Sequence, residues 1–178
     1  MRQVNFAEAM ELWAKPERLV LVTSYDSNNE PHIMTVGWKM RASFRPPILA
    51  VAIGHARRMN SMIKESKEFV VAVPGADLAK ETLACGLGKG EQDRFKAYGF
   101  EQKTGNFVKA PLIEKCIVCF ECKLHSQIET GDHSIFFGEV MASWINENPT
   151  KNLVLTDDSA GYNLLAEEGA YKIGIVSN

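Results

Sequence analysis

Residues 116 to 144 read Cys116-Ile-Val-Cys-Phe-Glu-Cys-Lys-Leu-His-Ser-Gln-Ile-Glu-Thr-Gly-Asp-His-Ser-Ile-Phe-Phe-Gly-Glu-Val-Met-Ala-Ser-Trp144. From Cys116 to Glu129 apolar and polar side chains alternate, the pattern of a long half-buried strand. Gly131-Asp132 supplies turn chemistry, and His133 to Trp144 returns as a second, more apolar strand. A hairpin this long makes antiparallel pairing the organising principle of the chain.

The segments upstream fit the same plan. Arg18 to Tyr25 and His32 to Trp38 are β-rich runs separated by Asp26-Ser-Asn-Asn-Glu30, a turn sequence, so residues 18 to 38 form a hairpin. Pro46-Pro47 marks a loop before the apolar strand Ile48–Ile53, and Glu68 to Pro74 forms a further strand. Helical spacing predicts short helices over Phe6–Lys15, ended by Pro16, over Met59–Lys67, over Ala76–Ala84 and over Asp93–Tyr98, the last stopped by Gly99. Cys85 to Gly90 reads as a glycine-rich loop, and the tail beyond Asn146 as turns with one last helical or strand piece. About six strands without βαβ alternation favour an antiparallel barrel decorated by helices.

The 178 residues, 46% hydrophobic and 24% charged, suit one globular domain spanning 1-178 with a real core. A net charge of −2 gives no basic excess for nucleic acid. No apolar run is long enough to span a bilayer, and the charged amino terminus does not resemble a secretory signal. Four cysteines are too few for a disulfide scaffold. The expectation is a soluble, cytoplasmic protein with reduced thiols.

Three stretches carry chemistry on their face. Gly54-His-Ala-Arg-Arg-Met-Asn-Ser61 lies where a strand ends and a helix begins. Unpaired backbone N–H groups, two guanidinium forks and the short donors of Asn60 and Ser61 suit a phosphate; the commoner reading of such residues is a solvated basic turn with an ordinary cap. Cys116, Cys119 and Cys122 have the spacing of a metal or cluster ligand set. On a continuous strand, however, residues three apart face opposite ways, which predicts that Cys116 diverges from Cys119 and Cys119 from Cys122. Gly86-Leu-Gly-Lys-Gly90 matches neither a dinucleotide fingerprint nor a P-loop. The histidines 32, 55, 125 and 133 show no zinc spacing, and no serine sits in a nucleophile elbow.

Over about residues 17 to 145 the chain resembles the flavin reductase-like, or flavoredoxin-type, FMN-binding split-barrel family. Ala110-Pro-Leu-Ile-Glu114, Glu121-Cys-Lys-Leu124 and Gly131-Asp-His-Ser-Ile-Phe-Phe-Gly-Glu-Val140 are similar to that family's "aPlie…leCkl…GdHtifvGeV" signature. Pro31-His-Ile-Met-Thr-Val-Gly-Trp38 resembles its "pNxmTvsW" strand. The resemblance implies a mainly β fold, a six-stranded antiparallel split β-barrel with peripheral helices. It implies a homodimer that binds FMN, takes electrons from NADH or NADPH and passes them to an acceptor or a partner redox protein. It places Thr35, Val36, Gly37 and Trp38 along the isoalloxazine ring, Arg57, Arg58, Asn60 and Ser61 at the phosphate, and His133 toward the nicotinamide. Met59 stands where the family often has a threonine, and Gly88 to Phe95 lacks the serine and arginine of the family's "SGrxxDkF" loop. Hydride transfer to flavin needs no triad or carboxylate pair, in keeping with the absence of such motifs. The alternatives are a non-enzymatic flavin or heme-like ligand-binding protein on the same barrel, and a cysteine-based metal or redox protein.

Overall fold

Seven antiparallel strands form one sheet: β1 (Val20–Tyr25), β2 (Pro31–Val36), β3 (Lys39–Phe44), β4 (Pro47–Gly54), β5 (Glu68–Val73), β6 (Val118–Thr130) and β7 (His133–Ile145). Their order across the sheet is β2-β1-β5-β6-β7-β4-β3. The computed structural model describes residues 2–13, 17–87, 93–147, 155–156, 161–168 and 171–177. Its chain contacts define two compact units, Leu19–Val154, and Met1–Arg18 with Leu155–Asn178. In the smaller unit are the helix Phe6–Trp13, the pairing of Glu17–Arg18 with Leu155–Thr156, and a hairpin of Gly161–Glu168 with Tyr171–Ser177. The end of the expected first helix, at Pro16, lies outside the described residues.

The two edge strands of the large sheet are consecutive in the chain. Only Gly37-Trp38 separates β2 from β3, and three Cα steps reach no further than about 11 Å. The sheet therefore curls until its edges meet at this corner. No backbone ladder joins β2 to β3 among the described residues, so the barrel is split rather than closed. The mainly β, split-barrel expectation stands, with a seventh strand added. That strand, Lys39-Met-Arg-Ala-Ser-Phe44, is mostly exposed, and its cations suit a sheet edge rather than an apolar pattern.

Alternation divides the core into two clusters. Val20, Val22, Val51, Ile53, Phe69 and Phe136 pack inside the curled sheet. Leu21, Ile33, Val70 and Ala72 face outward, under Leu78, Cys85, Phe95 and Phe100. Each such fully buried aliphatic or aromatic side chain contributes about 1.5–3 kcal/mol. Helix α1 (Arg58–Ser66) sends Met59 and Ile63 into the inner cluster, while α2 (Ala79–Leu87) and α3 (Arg94–Tyr98) cover the outer one. Helix α3 is capped by the Asp93 carboxylate, which accepts from the Lys96 N–H, and it ends at Gly99 with φ +72°. Cys85 and Gly86 lie within α2 rather than in the expected glycine-rich loop, because Cys85 is a core contact; residues 88–92 of that loop are outside the described residues.

The β6–β7 hairpin is the long pair that the sequence predicts, with Thr130 opposite His133 across Gly131-Asp132. It carries irregularities at Phe137/Gly138 and Val140/Ala142. Gly138 is required by packing: a Cβ there would run into the Phe69 ring and the Cys122 side chain.

Candidate functional site

The split corner, the end of β4 and the start of β7 converge on one end of the sheet. His133, first residue of β7, pairs with Gly54, last residue of β4. The Trp38 carbonyl accepts the Ala52 N–H at 2.9 Å, which fixes the β2–β3 corner beside them. The Trp38 and His133 rings stack, with centroids 4.6 Å apart and planes 26° from parallel. Asp132 Oδ1 lies 2.7 Å from His133 Nδ1 and sets the imidazole's orientation. That contact with His133 also holds the Asp132 carboxyl below its usual range. Trp38 remains 49% exposed, so an aromatic face is left at the corner.

Helix α1 starts three residues beyond His55. Its N-cap, Arg57, has extended backbone and makes no side-chain capping bond, and there is no acidic residue in the first turn. The Asn60 N–H is taken by the Arg57 carbonyl at 2.9 Å, which leaves the N–H groups of Arg58 and Met59 and the helix dipole to another acceptor. No described residue pairs with the exposed Arg57 guanidinium. Arg58 differs: it forms an ion pair with Asp26, whose carboxylate also accepts the Asn28 and Glu30 N–H groups. Ser61 is exposed and donates to the Arg58 carbonyl at 2.9 Å.

Several residues expected at a ligand are engaged with the protein. Asn60, 3% exposed, donates through Nδ2 to the Ile53 carbonyl at 2.8 Å and to Ser134 Oγ at 3.0 Å. Ser134 Oγ in turn donates to Glu129, which also meets His55 and Lys64, each at 3.0 Å. This network moors the start of α1 to the sheet, and the Asn60 amide nitrogen is not free for a phosphate. Val36 is buried in the inner cluster and the Thr35 hydroxyl donates to the Thr82 carbonyl at 2.8 Å. Thr35, Val36 and Gly37 therefore offer main chain rather than side chains. Of the expected site, the structure brings Trp38 and His133 into contact and sets Arg57 on the turn beyond Gly54. His32 is buried, and burial pushes it down to about 4, with Arg94 and Arg58 adding to the shift. It is neutral at pH 7.

A second charged centre has no counterpart in the sequence reading. Glu121, fully buried, accepts the N–H groups of Asn106, Phe107 and Val108 and the Trp144 indole N–H, the last at 2.7 Å. Burial pushes its carboxyl up, but these donors outweigh burial and hold it below the ordinary value. Gly105 is required here, since a Cβ would lie 2.5 Å from the Glu121 carboxyl carbon. The available signal was a lone glutamate within the apolar run Val118-Cys-Phe-Glu-Cys122.

The cysteine expectation needs one correction. Cys116 precedes β6, on a turn whose N–H bonds the Ile113 carbonyl, and so escapes strand alternation. Cys116 and Cys119 consequently share the outer cluster, whereas Cys122 does point to the inner one.

The family model for the flavin reductase like domain matches residues 14–164. An uncharacterised protein of Archaeoglobus fulgidus is 38% identical over 127 residues, 71% of either chain. The flavin reductase (NADH) of Kitasatospora aureofaciens is 28% identical over 72% of this chain and 66% of its own. Among solved structures, flavoredoxin of Desulfovibrio vulgaris superposes with a TM-score of 0.71 at 30% identity, covering 83% of this chain and 78% of that one. A Streptomyces globisporus NADH:FAD oxidoreductase gives 0.70 at 26% identity, covering 82% and 87%.

Proposed function

Because the chain belongs to the flavin reductase-like family, we propose that it is an FMN-dependent oxidoreductase drawing electrons from NADH or NADPH. The observation that carries the choice of FMN is the uncapped start of α1 with its unengaged Arg57. A phosphate dianion needs such an array of N–H donors and a cation. Arg57, Ser61 and the backbone at the head of α1 would hold the phosphate, with Arg58 contributing only what Asp26 leaves. The main chain of Thr35, Val36 and Gly37 would meet the polar edge of the ring, and Trp38 would bound it. His133, oriented by Asp132, would face the nicotinamide. A bound flavin supplies two-electron acceptance from a hydride donor, chemistry that no side chain here possesses.

The protein's part is positional. Asn60, Ser134 and Glu129 fix the phosphate end to the sheet, and the Trp38–His133 stack fixes the other end relative to it. Exposed Trp38, Met40 and Phe44 along the split edge support a homodimer closing over this corner. A cytoplasmic setting and a partner redox protein as acceptor complete the reading. The test is an anaerobic titration of the FMN-loaded protein with NADH and then NADPH. Bleaching of the flavin absorbance by one of them is expected. Bound flavin that neither nicotinamide bleaches would contradict the enzyme and leave a carrier or store.

A further inference from the structure

Beneath the outer face lies a cavity of about 410 Å³, lined among others by Lys103, Glu114, Cys116, Cys119 and Trp144. Cys116 and Cys119 are 2% and 4% exposed, and both line this cavity. One carbonyl brings them together: Ile113 O accepts the Cys116 N–H at 3.2 Å and the Cys119 S–H at 3.6 Å. Both side chains belong to the same outer cluster, three positions apart in the chain. Two cysteines anchored on one carbonyl and lining one cavity are neighbours that a disulfide could join. Neither Cys85 nor Cys122 lines this cavity. Nothing in the flavin site uses these thiols, and every residue around them belongs to the same unit of the chain.

We infer that Cys116 and Cys119 form a reversible dithiol–disulfide site that exchanges with a low-molecular-weight disulfide entering the cavity. Cys119 is the attacking sulfur. Sharing the neighbour's proton makes it the easier of the two to ionise, while Cys116 is held protonated by Cys119 and by burial. The Cys119 thiolate attacks one sulfur of R–S–S–R, giving Cys119–S–S–R and releasing RS⁻, which takes up a proton. Cys116, losing its proton, then attacks Cys119 Sγ and expels the second RS⁻. In sum, one protein dithiol and one disulfide become one protein disulfide and two small thiols. The Trp144 indole, lining the same cavity, reports the change.

The test uses the full chain, treated with glutathione disulfide as probe at pH 8, then alkylated under native and unfolding conditions. Two of the four thiols should disappear, and the peptide Cys116–Lys123 should lose two hydrogens, with the alkyl group on Cys122. Dithiothreitol should restore all four thiols and the initial tryptophan fluorescence. The C116S variant should stop at a mixed disulfide on Cys119, and C119S should acquire no adduct. A folded C116S protein without an adduct on Cys119 would overturn the assignment. So would a wild-type disulfide involving Cys85 or Cys122, or four thiols surviving in the treated wild type.

Discussion

The head of α1 and the Glu121 centre are built from the same materials and end in opposite states. Around Glu121, three successive backbone N–H groups and an indole converge on a carboxylate that the chain itself provides. At the head of α1, the positive end of the helix dipole and an exposed guanidinium meet no carboxylate in the first turn and no side-chain cap. A buried anion seat that the protein fills is a structural tie, since its donors would otherwise be buried without partners. A seat left open at the surface is a place for a foreign anion. What separates the two is whether the sequence supplies the acceptor.

Removing the acceptor from the filled seat should have the largest effect. Glu121→Ala leaves buried donors unpaired and should destabilise by on the order of 3–5 kcal/mol, read as a lowered urea midpoint at unchanged slope. The same carboxyl fixes the sign of a pH effect. Because it is held below its usual range in the fold, its contribution is present above the unfolded carboxyl's midpoint of about 4.3. It is lost as pH falls through the folded value. Acid unfolding of Glu121→Gln should therefore lack the part of the pH dependence that Glu121 supplies to the wild type; an unchanged acid limb would remove Glu121 from that role.

Emptying the open seat should leave stability nearly untouched. Arg57→Ala should change the unfolding free energy by no more than about 0.5 kcal/mol. It should weaken FMN by about 1.5–3 kcal/mol, the range for a charge-assisted hydrogen bond, and leave riboflavin unaffected. The smallest effect belongs to its neighbour. Arg58 is tied to Asp26 in a partly exposed ion pair, so Arg58→Ala should cost about 0–1 kcal/mol of stability and shift FMN affinity less than Arg57→Ala does. If Arg58→Ala weakened FMN more than Arg57→Ala, the division of labour drawn from the Asp26 contact would be reversed.

Much of the fold was legible because period-2 alternation and turn chemistry act locally. The hairpins over 20–36 and 118–145 and the cap and stop of α3 follow from their own residues. Strand β3 was not legible, since a charged, exposed edge strand owes its structure to pairing with β4 rather than to pattern. The site was legible as a region but not in detail. Arg57, Arg58, Asn60 and Ser61 are adjacent in sequence and equally polar. Only long-range contacts, with Asp26 across 32 residues and Ser134 across 74, decide which of them remain available. Glu121 stayed hidden because its backbone donors lie 13 to 15 residues away in a loop without secondary structure and its indole donor 23 residues away on β7. Cys116 and Cys119 were misplaced because the strand begins two residues later than the alternation suggests.

The most direct measurement is a pair of calorimetric titrations of the wild-type protein, one with FMN and one with riboflavin. FMN binding at least about tenfold tighter, the equivalent of about 1.4 kcal/mol from the phosphate, is the result predicted by an open anion seat at Arg57. Equal affinities would mean that the head of α1 holds no phosphate.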